Sequence, residues 1–317
     1  MRHYKIAFCG LGSIAKRHIL NVASVLTQRG ETFEIDLYRN SLGVDLPDDI
    51  APLISATESF HNQIPSGKNY DAVFVTNPTS VHYQTLLKFI NHADAFFIEK
   101  PIFDTLEIED DFFSKFEKKV CYVACPLRYN AAIQYIKENI DCSKAISVRA
   151  ISSSYLPDWR PGQDYRKCYS ARRELGGGVG IDLIHEWDYL SWLFGMPNQV
   201  KTIQGTMSEL EIDSDDIAIY IGRNAHTSFE VHLDYFGRSA IRECDIYLPN
   251  ETIRCDLIKG VIHLLAQGKT IQLENERNAY QIKEIEHFFD IINKRITNDS
   301  TAEHAFEVLK IAKGQEL

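Results

Sequence analysis

Short apolar runs punctuated by turn residues set the rhythm of the first third of the chain. Ile6 and Phe8 lie in YKIAFC, a stretch that reads as a buried strand. Gly10 and Gly12 follow at once, and then Ile14, His18, Val22 and Val25 recur at helical spacing. Further strands are expected at Phe33 to Arg39, Ala72 to Val75, Ala95 to Ile98 and Val120 to Ala124. Helices are expected from near Ser80, and from a cap at Asp104 through Phe116. Pro47, Pro52, Pro65 and Gly67 interrupt residues 41 to 69. Strands that alternate with helices at this spacing imply a parallel, doubly wound α/β sheet over residues 1–125.

The pattern changes near Pro126. A helix is expected from Arg128 to Asn139, followed by alternating strands at 145–155, 200–207, 217–221, 227–235, 241–248 and 252–257. These pair most easily as an antiparallel sheet. Helices at 280–295 and 302–313 close the chain, the first with an apolar stripe of Ile282, Ile285, Phe288, Phe289 and Ile292. Residues 126–317 are therefore expected to form a second, α+β domain.

Strand, glycine turn and helix give the run GLGSIA, Gly10 to Ala15, its meaning. In this context the pattern is that of a dinucleotide-binding (Rossmann) turn. Gly10 allows the tight turn, Gly12 leaves room for a pyrophosphate beside the helix N-terminus, and Ala15 lets helix and strand pack closely. The end of the second strand should meet the adenine ribose, where an acid favours NAD and an arginine NADP. Asp36 has the usual spacing, but the strand ends near Tyr38 and Arg39. Arg39 is therefore expected at the ribose, which tips the cofactor towards NADP without excluding NAD. Cys9-Gly10, Arg39, Thr76-Asn77 and Glu99-Lys100 all end strands of this sheet and should line one crevice.

Composition narrows the classes. The chain has 317 residues, enough for two domains, and a net charge of −10 argues against a nucleic-acid or anionic-membrane partner. No apolar run reaches a membrane span, and MRHYKIAF leads into the first strand without a signal peptide. Seven scattered cysteines include no C-x-x-C; Cys121 and Cys125 lack zinc spacing, so no metal site is expected. Reduced thiols and a cytoplasmic location are the expectation.

One insert of the second domain stands out: WRPGQDYRKCYSARRELGGGVGIDLIHEWDYLSWLFG. Gly176, Gly177 and Gly178 precede a helix on which Asp182, His185 and Asp188 share a face by their spacing of three. A histidine backed by carboxylates suits proton transfer, and Asp182 or Asp188 would favour its charged form. Arg160, Arg166, Lys167, Arg172 and Arg173 cluster with Trp159, Tyr165 and Tyr169. Aromatics stack on sugars and arginines grip phosphate, which would suit a nucleotide sugar; a solvated basic loop or a subunit contact fits equally. Arg128 and Tyr129 open the domain and are candidates for the same cleft.

These residues carry a family resemblance. GLGSIA, TNPTSVH, EKP, and GGG with an Asp and H-x-x-D occur in order over residues 10 to 188. The chain resembles the Gfo/Idh/MocA oxidoreductases, which include glucose–fructose oxidoreductase and inositol dehydrogenase. The strand-rich remainder fits that family's second domain. In one place the pattern departs: the family separates the aspartate and histidine by three residues, whereas Asp182 and His185 are separated by two. Alignment on H-x-x-D selects His185; alignment on GGG would put Glu186 there. LIHEWDYLSWLFG resembles a branch linked to bacterial surface sugars, which favours His185.

The resemblance implies roles. Lys100 would hydrogen-bond the reacting hydroxyl and His185 would move its proton, with Asp182 completing the catalytic set. Gly10, Gly12, Ser13, Ile14, Arg39, Thr76, Asn77, Pro78, His82, Glu99 and Lys100 would bind the cofactor. Lys100, Arg128, Tyr155, Trp159, Arg166, Asp182 and His185 would meet a carbohydrate. Lys100-Pro101 would be a cis bond. A homo-oligomer through the C-terminal sheet is expected. The activity implied is an NAD(P)-dependent sugar dehydrogenase or reductase; a redox-neutral glycosidase-type enzyme and a non-catalytic NAD(P)-binding regulator are the alternatives.

Overall fold

The computed structural model describes residues 1–315. These fall into two compact units, one of Met1–Ala124 with Gln281–Phe306, the other of Cys125–Tyr280 with the chain from Glu307 on.

The first unit starts with β1 (His3–Cys9), α1 (Ser13–Gln28), β2 (Thr32–Arg39), β3 (Ala56–Ser59), β4 (Ala72–Val75), α2 (His82–Phe89), β5 (Ala95–Ile98), α3 (Phe112–Lys115) and β6 (Val120–Val123). Its six strands are all parallel, in the order β3-β2-β1-β4-β5-β6. The strand order reverses direction at β1, the place where such sheets bind ligands. The long apolar side chains of β1, β4 and β5 stack across the sheet: Phe8 on Phe74 at 4.5 Å and Phe74 on Phe97 at 4.8 Å. β3, four residues long, lies within the stretch 41–69 in which no long element was expected. The helix expected from Asp104 is absent until α3. Asp104, Glu107, Glu109, Asp110 and Asp111 would place five like charges on it, a destabilising arrangement. Instead Glu109 and Asp111 both pair with Lys115.

The second unit contains α4 (Ala131–Asn139), β7 (Ser147–Tyr155), α5 (Val179–Asp182), α6 (His185–Phe194), β8 (Gln199–Gly205), β9 (Ile217–Arg223), β10 (Ser228–Asp234), β11 (Phe236–Leu248), β12 (Glu251–Asp256), β13 (Val261–Leu264) and β14 (Lys269–Gln272). Its eight strands run β14-β13-β12-β11-β7-β10-β9-β8. Only β7 and β10 pair in parallel, so the sheet is mixed rather than wholly antiparallel. β13 and β14 are four-residue strands separated by a turn through Gly268, too short for alternation alone to mark them. The helix expected from Arg128 starts later, with Asn130 accepting the N–H of Ala132 as its cap.

The chain closes with α7 (Arg277–Ile292) and α8 (Ala302–Ala312). The apolar stripe of α7 does not stay with the second unit. Ile285, Phe288, Phe289 and Ile291 join the core of the first, where Phe288 meets Phe74 and Phe97 edge-on at 5.5 and 5.2 Å. A single boundary near residue 125 therefore does not describe the packing: Gln281–Phe306 returns to the first unit.

Candidate active site

The turn after β1 is shaped by Gly10. Its φ of +93° suits glycine, and a Cβ there would sit 2.8 Å from the Cα of Asn77. A Cβ on Gly12 would meet nothing within 4 Å, so open space lies in front of α1. That helix has no side-chain cap and no acid in its first turn. Its free N–H groups and positive dipole end suit a pyrophosphate. A pocket of about 490 Å³ borders the turn, lined by Gly10, Lys16, Arg39, Asn77 and Pro78 among others. Asn77 Oδ1 is buried with no partner there, an acceptor placed for a ligand hydroxyl or amine. Cavity, uncapped helix and orphaned acceptor all fit a dinucleotide. Ser13 is exposed and Ile14 half-buried at the same helix start.

Thr76 and His82 hold this surface from behind. Buried Thr76 gives its hydroxyl to the Cys9 carbonyl at 2.9 Å, tying β4 to β1. His82 is 1% exposed, and its ring nitrogens lie 3.0 Å from the Asn77 carbonyl and 3.2 Å from that of Ile102. Burial pulls its pKa below 6.5, outweighing the two carbonyls. Both residues support the loops from within rather than presenting side chains to the pocket.

The register settles which β2 residue faces the turn. Cys9 pairs with Tyr38, and the Gly10 N–H donates to the Tyr38 carbonyl at 2.8 Å. Arg39 is next and lines the pocket. Asp36 is held elsewhere, accepting the Tyr70 hydroxyl at 2.8 Å and pairing with Lys68 at 2.8 Å.

Glu99 and Lys100 leave the end of β5, two strands from the glycine turn, and the Lys100–Pro101 bond is cis. Glu99 Oε1 lies 2.6 Å from His18 Nε2, and Oε2 accepts the backbone N–H of Lys100 at 3.2 Å. Burial raises the carboxyl's pKa, but the His18 hydrogen bond and the charges of His18, Lys100 and His82 outweigh it and hold the group below its ordinary 4.5. In the sequence His18 marks only a helical position; a histidine on the sheet-facing side of α1 is the signal of a polar partner beneath.

In the second unit the expected single helix is broken. α5 ends at Asp182, and α6 begins at His185. Asp182 accepts the Tyr235 hydroxyl at 2.6 Å, while Asp188 binds Arg128 through Nε at 2.8 Å and Nη2 at 2.6 Å. Tyr235 and Arg128 thus reach the two carboxylates from different elements. Arg128 is 1% exposed, so its place is a structural tie between α6 and the start of the unit. His185 is half-buried, whereas Glu186 is fully buried and pairs with Arg242 at 2.7 Å.

Aromatic residues gather beside Asp182. Trp159 donates to Ser154 Oγ at 2.9 Å and meets the Tyr235 ring edge-on at 5.3 Å. The Tyr235 phenol is pushed up by burial and then by the Asp182 charge. Arg160 lies over Tyr169 at 5.4 Å and Arg238 over Tyr155 at 3.9 Å. The remaining arginines face acids: Arg166 binds Asp164 at 2.8 Å and Glu211 at 2.9 Å, Arg172 binds Asp213, and Arg173 binds Asp215. Arg166 is thus held in an exposed latch between two loops. Tyr235 and Arg242, which hold Asp182 and Glu186, were not singled out from the sequence because their partners lie more than fifty residues away.

Residues 4–125 match the Gfo/Idh/MocA model, described as an oxidoreductase family with an NAD-binding Rossmann fold. The match runs from Tyr4 in β1 past the end of β6 in the first unit. An inositol 2-dehydrogenase/D-chiro-inositol 3-dehydrogenase of Lacticaseibacillus casei is 26% identical over 206 residues. That match covers 64% of this chain and 56% of the relative, so it spans little more than half of that protein. Among solved structures, levoglucosan dehydrogenase in complex with NADH and levoglucosan has a TM-score of 0.83 at 15% identity, over 99% of this chain and 96% of that one. UDP-N-acetylglucosamine 3-dehydrogenase from Acidithiobacillus ferrooxidans has a TM-score of 0.75 at 18% identity, over 100% and 97%. At these identities the structural likeness shows a shared fold. Among the described residues, no helix is long and apolar enough to cross a membrane.

Proposed function

We propose that the protein moves a hydride between a nicotinamide cofactor and a CH–OH carbon of a sugar. One observation carries the reading: a glycine turn at β1 and a Glu99–Lys100 strand end at β5 stand at the same edge of one parallel sheet. A nicotinamide cofactor held along Gly10, Arg39 and Asn77 would supply the hydride transfer. Lys100 is the cation that stabilises oxygen charge at the reacting carbon, and His185 is the base that takes or gives the hydroxyl proton. The burial of Glu186 against Arg242 favours His185 over its neighbour in that role. Asp182, held by Tyr235, and the Trp159 ring beside it are the residues proposed to meet sugar hydroxyls and a sugar face. The similar proteins' names, an inositol, a levoglucosan and a nucleotide-sugar dehydrogenase, support that substrate class.

For the cofactor, Lys16 and Arg39 line the pocket with Asp45 as an acid among the lining residues, while Asp36 is occupied by Tyr70 and Lys68. NADP is proposed to bind at least as well as NAD. Outward-facing Ile203 and Ile221 of the second sheet, 62% and 65% exposed, support a homo-oligomer through that face, checked by sedimentation.

The test is a titration with NAD(H) and NADP(H), followed by assays on inositols, free sugars and nucleotide sugars. Reduced nicotinamide formed in step with oxidised sugar supports the reading. A sugar consumed with no net change in the cofactor indicates redox-neutral chemistry instead. Cofactor binding with no turnover in either direction on any of the panel would favour the regulator.

A further inference from the structure

We infer that His18 is a positioning residue that acts on Lys100 through Glu99. The inference rests on the reading of Lys100 as the group that meets the substrate oxygen. His18 sits on α1, the helix that follows the glycine turn, and is 1% exposed. Its ring is edge-on to Phe97 at 4.9 Å and tilted against Phe74 at 6.3 Å. Nε2 points at Glu99 Oε1 at 2.6 Å, and Nδ1 is buried with no hydrogen-bond partner. Ionised Glu99 only accepts, so the proton between them sits on Nε2. The imidazole thus has one polar contact among its resolved partners, and that contact is the carboxylate.

The carboxylate passes the constraint on. Its second oxygen holds the N–H of Lys100, the peptide group that carries the candidate side chain away from the strand. One face of the link belongs to the cofactor helix and the other to the catalytic strand end. A short hydrogen bond to a charged group, made in a dry setting, gives a narrow orientation. A loosened Glu99 would let the Lys100 peptide rotate, and a misplacement of about 1 Å can cost a reaction about 10²-fold. The groups facing Glu99 are His18 from α1, His82 from α2 and Lys100 beside it in the chain.

The sign of the pH effect follows. Glu99 has a native pKa below its ordinary 4.5, so its contribution to stability is complete above that pH. The contribution is lost as the pH falls through the lowered value. Removal of the His18 donor lets the native value rise towards the unfolded one, so the contribution shrinks and the folded state gives way at higher pH.

Three variants and two cofactor-free readouts test this. His18→Phe removes the donor, and His18→Gln offers an amide N–H in its place. In the apoprotein, ¹⁵N NMR of the histidines should show the His18 proton on Nε2, and Glu99→Gln should move that resonance. Acid unfolding of apo His18→Phe should begin at higher pH. With cofactor and substrate, His18→Phe should lower kcat about 10- to 100-fold while the NADH dissociation constant stays within about threefold. The acid limb of kcat/KM should move to higher pH, and His18→Gln should restore both. An unchanged kcat and acid limb in His18→Phe, or a proton found on Nδ1, overturns the inference. So does a loss of kcat matched by an equal loss of NADH binding with no movement of the limb. If His18→Phe does not fold, His18→Gln decides: retention of kcat and limb supports the link, and loss of both overturns it. Full activity of Lys100→Met would instead refute the functional reading, while the two apo readouts still judge the His18–Glu99 link.

Discussion

The strand ends of the first unit and the arginine-rich insert of the second both carry reactive side chains, yet they are built differently. At the strand ends, backbone geometry places each group: Gly10 by its positive φ, Asn77 by the close approach of that glycine, Glu99 by the N–H of the next residue. In the insert, charge finds charge in water. Arg166 and Glu211 pair with side chains 49% and 69% exposed, whereas Arg128 and Asp188 pair at 1% and 6%. Exposed pairs contribute little and hold little in place; a buried, bidentate pair fixes its neighbours. Candidate chemistry should therefore track burial rather than the number of charges.

The sharpest way to break that contrast is at His185. His185→Asn is expected to slow the chemical step about 10²–10⁴-fold, the usual worth of a positioned acid–base group. Single-turnover rates measure it. Glu186→Gln, at a fully buried position, should instead act on stability. If the two substitutions exchange effects, the histidine register is wrong. On the other unit, Lys100→Met should lower kcat about 10²–10³-fold, the cost of one lost stabilising contact to a developing oxyanion. Isothermal titration with NADH should find its affinity nearly unchanged.

The third test removes the charge from the buried tie. Asp188→Ala removes the carboxylate that binds Arg128 beneath α6. Breaking such a pair costs about 3–5 kcal/mol. Denaturant unfolding should show that loss, and activity of whatever remains folded should fall too, because α6 carries His185 at its first position. A cost under about 1 kcal/mol would place this pair with the surface latches.

What the sequence made legible divides along the same line. The six parallel strands of the first unit were readable except β3, because apolar runs four to eight residues long report burial directly. The glycine turn was readable because only glycine meets its φ. The end of β2, judged from Asn40 and Ser41 rather than from residue spacing, pointed to Arg39, which lines the pocket. Less was readable where partners are remote in the chain. Nothing near Arg128 announces Asp188 sixty residues on, and nothing near Arg166 announces Glu211. The return of α7 to the first core was hidden for the same reason: its stripe declares an apolar face, but not which sheet covers it. Periodicity also overreached, extending one helix through Leu183 and Ile184, where the chain turns between α5 and α6.

Arg39 offers a smaller effect. Arg39→Asp should move the ratio of NADP to NAD affinity about tenfold towards NAD, on the scale of one charge-assisted phosphate contact. Paired titrations with the two reduced cofactors give the ratio. Unchanged affinities for both would show that Arg39 faces solvent beyond the ribose.

The smallest effect belongs to the latch. Arg166→Ala removes contacts to Asp164 and Glu211, but the guanidinium is half exposed and both acids are open to water. Each such pair is worth about 0–1 kcal/mol and is screened by salt, since charges in water lose their attraction within about 10 Å at 0.1 M ionic strength. The expected change is below about 1 kcal/mol in unfolding free energy, shrinking further at 0.5 M salt. The Michaelis constant for the sugar should stay within about threefold, because a side chain already bound by two carboxylates has no free face for phosphate. A nucleotide sugar is the discriminating substrate. If Arg166→Ala raises the Michaelis constant for a nucleotide sugar tenfold or more while sparing the free sugar, the latch opens to grip phosphate. The exposed arginines would then be part of the site, and burial would no longer separate the two regions.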